Sequence, residues 1–256
     1  MADSPTAILL HHGLGEHAGR YDRFAEALGN VTVVAHDVRG HGGSDGRRGD
    51  ALGIEQLADD WVGLFPRLAE LSGAKRFVLF GHSMGSLVLL EVLERGRMPD
   101  GTVGAIVSAP PVAVERTHAV RAKVAFGRVV KFVAPGLRLA NEVSLEGISS
   151  DEGEVARYQS DPLVHDRLSI RLGLSILEWG PRVIDGASRI STPGLIVAGS
   201  DDPIAPVAGA RALAANWPGV RLDVIEGNRH EGHHERSEGR ERWFASVRGF
   251  LEGIGA

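Results

Sequence analysis

A chain of 256 residues carries 28 Lys and Arg against 33 Asp and Glu, a formal net charge of −5, with 43% hydrophobic and 24% charged residues. That length fits one large domain or one domain with an insertion, the balance is that of a globular chain, and the acidic excess offers no field to recruit nucleic-acid phosphates. With no cysteine in the sequence, disulfides, thiolate nucleophiles and cysteine-ligated metals are excluded.

The first apolar run, residues 7–10, opens a series that continues at 31–35, 77–80, 105–107, 195–198 and 222–225, each bounded by Gly, Pro, Asp or Asn. Such runs are expected of buried strands. Helical periodicity falls between most of them, at 54–71, 87–93, 207–215 and 240–251. Strand alternating with helix predicts an α/β protein with a doubly wound, mostly parallel sheet and right-handed crossovers. The uncharged stretch 101–114 is shorter than the about 20 residues a bilayer demands, and residues 1–7 lack a basic leader, so a cytoplasmic protein is expected.

Leaving the first run, His12-Gly13-Leu14-Gly15 matches an oxyanion loop, which would supply the Leu14 N–H to a tetrahedral intermediate. After the third run comes Gly81-His82-Ser83-Met84-Gly85, a Gly-x-Ser-x-Gly sequence at a strand-to-helix turn. The glycines allow strand and helix to approach, and the turn sets the Ser83 oxygen at a helix N-terminus, where negative charge is favoured. Met84, directly after the serine, would be the second oxyanion donor.

From Pro110 to about Ser191 the alternation stops, and a helical insertion is expected. Within it, residues 117–133 at helical spacing gather Ala122, Ala125, Phe126, Val129 and Val133 on one side and Arg121, Lys123, Arg128 and Lys131 on the other. This helix is read as a cap covering the core, in preference to one docked on an anionic lipid surface.

A serine hydroxyl needs a base and a group to orient that base, in the chain order Ser, acid, His. Gly199-Ser200-Asp201-Asp202-Pro203 follows the fifth run and offers Asp202 as the acid, with Asp201 its rival. Gly227-Asn228-Arg229-His230 follows the last run and offers His230 as the base, with His233 and His234 as competitors. The same tail reads His230-Glu231-Gly232-His233-His234, a match to the H-E-x-x-H zinc signature, which raises a zinc hydrolase as a different class. Gly232 inside the match and Gly227-Asn228 just before it argue against the continuous helix that signature requires, so no metal is expected.

The segments His12-Gly13-Leu14-Gly15-Glu16-His17-Ala18-Gly19-Arg20-Tyr21 and Arg39-Gly40-His41-Gly42-Gly43-Ser44-Asp45-Gly46, the serine elbow, Tyr158-Gln159-Ser160-Asp161-Pro162-Leu163 and residues 227–235 together resemble the monoacylglycerol lipase family of α/β-hydrolases. The similarity runs over nearly the whole chain and extends to lysophospholipase-like serine esterases. It implies an α/β-hydrolase core of residues 1–110 and 189–256, a helical cap at 111–188, and a catalytic triad of Ser83, Asp202 and His230 with Leu14 and Met84 as oxyanion donors. The resemblance also implies hydrolysis of a single-acyl glycerol ester without a cofactor, with Glu16, Arg20, His82, Tyr158 and His233 holding the glycerol end. The antiparallel hairpin with which the family usually opens has no counterpart before residue 7. The expected partner is a small lipid ester, with transient membrane-surface contact through the cap. Lysophospholipid or general carboxylester cleavage, and a catalytically silent lipid-binding member of the fold, stand as alternatives.

Overall fold

The computed structural model describes residues 5–113, 118–141 and 143–256. In chain order β1 (Thr6–His11), α1 (Asp22–Leu28), β2 (Thr32–Ala35), α2 (Ile54–Ser72), β3 (Arg76–His82), α3 (Met84–Glu94) and β4 (Thr102–Ser108) lead into the insertion. There follow α4 (His118–Val130), β5 (Arg138–Ala140), α5 (Glu152–Ser160), β6 (Arg167–Ser169) and α6 (Ile170–Gly186). The chain then returns through β7 (Gly194–Gly199), α7 (Val207–Asn216), β8 (Arg221–Ile225) and α8 (Ser237–Gly253).

Six strands form one sheet in the order β2-β1-β3-β4-β7-β8, every neighbouring pair parallel. Among the described residues no antiparallel strand flanks β2. Apolar side chains alternate between the two faces, as a strand's period of two dictates. Ala7, Leu9, Leu79, Val107 and Ile196 meet α2, α3 and α7 on one side, whereas Ile8, Leu10, Phe80, Ile106 and Val197 meet Tyr21, Phe24, Trp243 and Phe244 on the other. Burial on both faces is why the strands read as unbroken apolar runs.

The insertion differs from its expected form in two ways. It contains a small antiparallel ribbon, β5 paired with β6, whose three-residue strands are too short to leave a periodic signal. Its first helix ends at Val130 rather than Val133, and its apolar stripe faces outward: Phe126 is 64% exposed, Val129 69%, Phe132 82% and Val133 87%. The expectation that this stripe covers the core is therefore corrected. The helix leans on α6 through a different line, where buried Gly127 sits close to Ile170 and Leu174, because the absent side chain lets the two helices approach there. Of the expected basic face, Arg128 pairs with Glu178 on α6 at 3.3 Å, whereas the Arg121 and Lys123 side chains lie outside the described residues.

Candidate active site

The end of β3 delivers Ser83 in a left-handed conformation, φ 51° and ψ −121°, which costs a side-chain-bearing residue of order 1–3 kcal/mol. Packing around the turn maintains it. A side chain at Gly81 would strike the Gly85 carbonyl and the Ser86 Cα, and one at Gly85 would strike the His11 and His12 carbonyls. The Ser83 N–H donates to the Ser108 carbonyl at 3.0 Å, tying the elbow to the end of β4.

Asp202 lies just past β7, its side chain fully buried. One carboxylate oxygen accepts the N–H groups of Ile204 and Ala205 at 2.8 and 2.9 Å, and the other accepts His230 Nδ1–H at 2.7 Å. An ionised carboxylate only accepts, so this bond places the histidine proton on Nδ1 and leaves Nε2 free to take another. Asp201 is exposed and accepts the Ser200 hydroxyl instead. Burial opposes a charged His230, but Asp202, reinforced by Glu231 and Glu16, outweighs it and raises the imidazole above its ordinary value. The His230 N–H donates to the Gly147 carbonyl at 3.1 Å, so the insertion helps to hold the histidine loop.

Ser83, His230, Leu14 and Met84 all border one cavity of about 690 Å³. Most of its wall is apolar, from Val124, Leu139, Leu174, Ile176 and Leu177 among others, and one end carries Glu16, Glu231, His82 and Tyr158. Met84 begins α3, so its N–H has no acceptor a turn earlier in the helix. Leu14 follows Gly13, whose N–H donates to Glu16 Oε1 at 2.6 Å.

Behind this polar end Arg20 donates to both oxygens of Glu231 at 2.6 Å each and to Glu16 Oε2 at 2.8 Å, with its guanidinium 4.6 Å from the Tyr158 ring centre. The paired charges hold Glu231 well below the usual carboxylate range against the effect of burial, while burial and the Glu231 charge push Glu16 upward. His82 Nδ1 lies 3.1 Å from the Ser108 hydroxyl, and burial keeps that imidazole neutral.

Two of the residues expected to hold the glycerol end are placed elsewhere, Arg20 behind Glu16 and Glu231, and His233. His233 does not border the cavity; its ring stacks on Tyr21 at 5.0 Å and packs against Trp243, because the turn at Gly232–His234 directs it into the core beneath. Most donors of the zinc match have other partners. His230 faces Asp202, His234 has Nδ1 at 2.9 Å from Glu231 and Nε2 at 3.1 Å from the Arg20 carbonyl, and both Glu231 oxygens are taken by Arg20. Glu231, His233 and His234 lie close enough together to hold an ion, but the permanent Arg20 cation already occupies that charge. The segment is also a tight turn, without the helix that would align two histidines.

Sequence reasoning gave no role to Glu231 outside the zinc match, and none to Asp37. Asp37 accepts the Ala18 N–H at 2.8 Å and the Gly43 N–H at 2.7 Å, joining the loop after β1 to the glycine-rich loop after β2.

A parallel sheet with a strained serine at one strand end and an Asp–His pair on loops after the two strands at one edge defines an α/β-hydrolase of the serine class. A family model described as serine aminopeptidase, S33, matches residues 3–237. The chain is 31% identical over 238 residues to the monoacylglycerol lipase of Mycolicibacterium smegmatis, covering 91% of this chain and 84% of that protein. It is 30% identical over 236 residues to the monoglyceride lipase of Rattus norvegicus, covering 90% and 77%. The crystal structure of the Paleococcus ferrophilus monoacylglycerol lipase superposes with a TM-score of 0.85 at 33% identity, over 96% of this chain and 94% of that one. The chain belongs to the monoacylglycerol lipase family of α/β-hydrolases.

Proposed function

We propose that the protein hydrolyses monoacylglycerols to fatty acid and glycerol through an acyl-enzyme on Ser83. The observation that carries this reading is a strained serine sharing one cavity with the Asp202-oriented His230, apolar along most of its wall and polar at one end. His230 Nε2 takes the Ser83 proton as Oγ bonds to the ester carbonyl carbon, and the N–H groups of Leu14 and Met84 receive the oxyanion. Collapse breaks the bond to the glycerol oxygen, which leaves with the proton from His230. Water, deprotonated by the same imidazole, then attacks the acyl carbon and releases the fatty acid and Ser83.

The charged side chains at the polar end of the cavity are Glu16 and Glu231, with Arg20 behind them. Carboxylates repel a phosphate, which favours a neutral glycerol ester over a lysophospholipid. The outward apolar residues Phe126, Val129, Phe132 and Val133, with Arg128 and Lys131 among them, suit transient contact with a lipid surface, from which the substrate would enter. Among the described residues no helix is long and apolar enough to cross a membrane.

The test is an ester panel, monoolein beside lysophosphatidylcholine and a short-chain ester, run on the native protein and on Ser83→Ala. Fastest turnover of monoolein, abolished in the variant, supports the reading; undiminished turnover in the variant overturns it.

A further inference from the structure

Two loops must stay in register for the chemistry above, the one that carries His230 and the one that carries the Leu14 donor. They arise from opposite ends of the chain, yet a continuous chain of buried charge-assisted bonds joins them. Glu231 directly follows His230 and grips Arg20 with both oxygens, each 2.6 Å from a guanidinium nitrogen. Arg20 reaches onward to Glu16 Oε2 at 2.8 Å, and Glu16 Oε1 accepts the Gly13 N–H at 2.6 Å and the Tyr21 hydroxyl at 2.9 Å. Gly13 directly precedes Leu14.

We propose that Glu231 is a positioning residue for ester hydrolysis, clamping Arg20 in a two-pronged ion pair that fixes the His230 loop against the oxyanion loop. This rests on the serine-hydrolase reading given above. Removing two carboxylates and a guanidinium from water is expensive, and apolar side chains of similar volume would stabilise a core at least as well. What the cluster provides that apolar packing would not is direction: a fork that matches a carboxylate in one plane sets distance and angle together. A displacement of about 1 Å between reacting groups can cost on the order of 100-fold in rate, so the register it fixes bears on turnover.

The charge of Glu231 also reaches the base. His230 is faced by Asp202, Glu231 and Glu16, which favour its protonated form, and by the His82 ring on β3 at 4.9 Å, with Arg20, His233 and His234 acting on His82 and on one another in the same cluster. Neutralising Glu231 while Arg20 remains would therefore lower the His230 pKa.

The experiment measures kcat, KM and the pH profile for a soluble short-chain ester in Glu231→Gln, Glu231→Asp and Arg20→Lys, with thermal melts and fluorophosphonate labelling of Ser83 in each. Glu231→Gln is expected to lower kcat by about 10- to 100-fold with KM within about threefold of native, and to move the acidic limb of the profile to lower pH. Glu231→Asp restores part of kcat and returns the limb, and Arg20→Lys, which keeps the charge and loses the fork, lowers kcat alone. Native kcat with an unmoved limb in folded Glu231→Gln overturns the proposal, as does a loss expressed wholly in KM, which would make Glu231 a substrate contact. Should Glu231→Gln not fold, native kcat in Arg20→Lys overturns it by itself. Absence of Ser83 labelling in the native protein would sink the serine-hydrolase reading instead, and so separates the two failures.

Discussion

The Ser83 N–H donates to the Ser108 carbonyl at 3.0 Å, and Ala109, the residue after that carbonyl, has a positive φ of 47°. Two side-chain-bearing residues in left-handed geometry thus meet where β3 and β4 end, and the strain of one is held by the other's strand. Because the main chain maintains this turn, Ser83→Ala is expected to keep the native melting temperature within about 2 °C while losing at least about 1,000-fold in kcat. Calorimetry and ester turnover on the same preparation check both halves.

Gly85→Ala tests the turn itself. Its new methyl group would overlap the His11 carbonyl at the end of β1 and lie 2.6 Å from that of His12, where the oxyanion loop begins. Loss of soluble expression or a drop of several degrees in melting temperature is expected, in contrast to Ser83→Ala.

The raised pKa of His230 sets the acidic side of the activity profile. The imidazole must be neutral to accept the Ser83 proton, so kcat/KM falls as pH drops through that pKa, which lies above the ordinary value of about 6.5. Asp202→Asn removes the favourable charge and the correct tautomer, and about a 10,000-fold loss in kcat is expected. A pH-rate profile with the midpoint of its acidic limb below 6 would contradict this assignment.

Stability should decline in acid for a separate reason. Half-buried His36 and buried His41 are held neutral, desolvation lowering each to about 4, and burial also lowers His11, His12, His82 and His233. The unfolded chain binds protons on these groups near pH 6.5, the folded chain only far below, so stability present above pH 6.5 is lost as pH falls toward 4. For the fully buried His41 the full effect is roughly 3 kcal/mol. Thermal melts between pH 7.5 and 4.5 should show a steep fall, reduced in His36→Gln.

The outward apolar stripe predicts a split between substrates. Phe132→Asp combined with Val129→Asp, neither of which borders the cavity, should reduce turnover of monoolein in vesicles about tenfold or more, with a dissolved short-chain ester much less affected. Equal effects on both substrates would deny these side chains a role at the lipid surface.

The sheet was legible because a strand buried on both faces must be apolar throughout, and the runs at 7–10, 77–80 and 195–198 lie within β1, β3 and β7. The serine turn was legible too, since its geometry demands glycines at 81 and 85. The facing of α4 was not, because helical spacing shows that a stripe exists but not which side a neighbour covers, and a glycine at 127 gives no hydrophobic signal for the contact with α6. Nor was the Arg20–Glu231 pair, whose members stand 211 residues apart, since no local pattern marks a contact made only by the folded chain. His233 was misplaced for the same reason: adjacent positions in a tight turn point in different directions, and the tertiary fold chose which one entered the core.

The insertion is fastened to the body unevenly. Around β6 and the start of α6 it is stitched by His165 N–H to the Gly15 carbonyl at 2.9 Å, Ser169 N–H to the Gly49 carbonyl at 2.9 Å, and the two bonds from Arg171 to Asp50 at 2.8 and 2.7 Å. α4 leans on α6 and shows its apolar side to solvent. The room for the alcohol thus adjoins the stitched loop at Gly15, while the chamber for the hydrocarbon tail lies between α6 and α4, a helix held to the body through α6. Selectivity for the head group should accordingly be strict, and tolerance for tails of differing length broad.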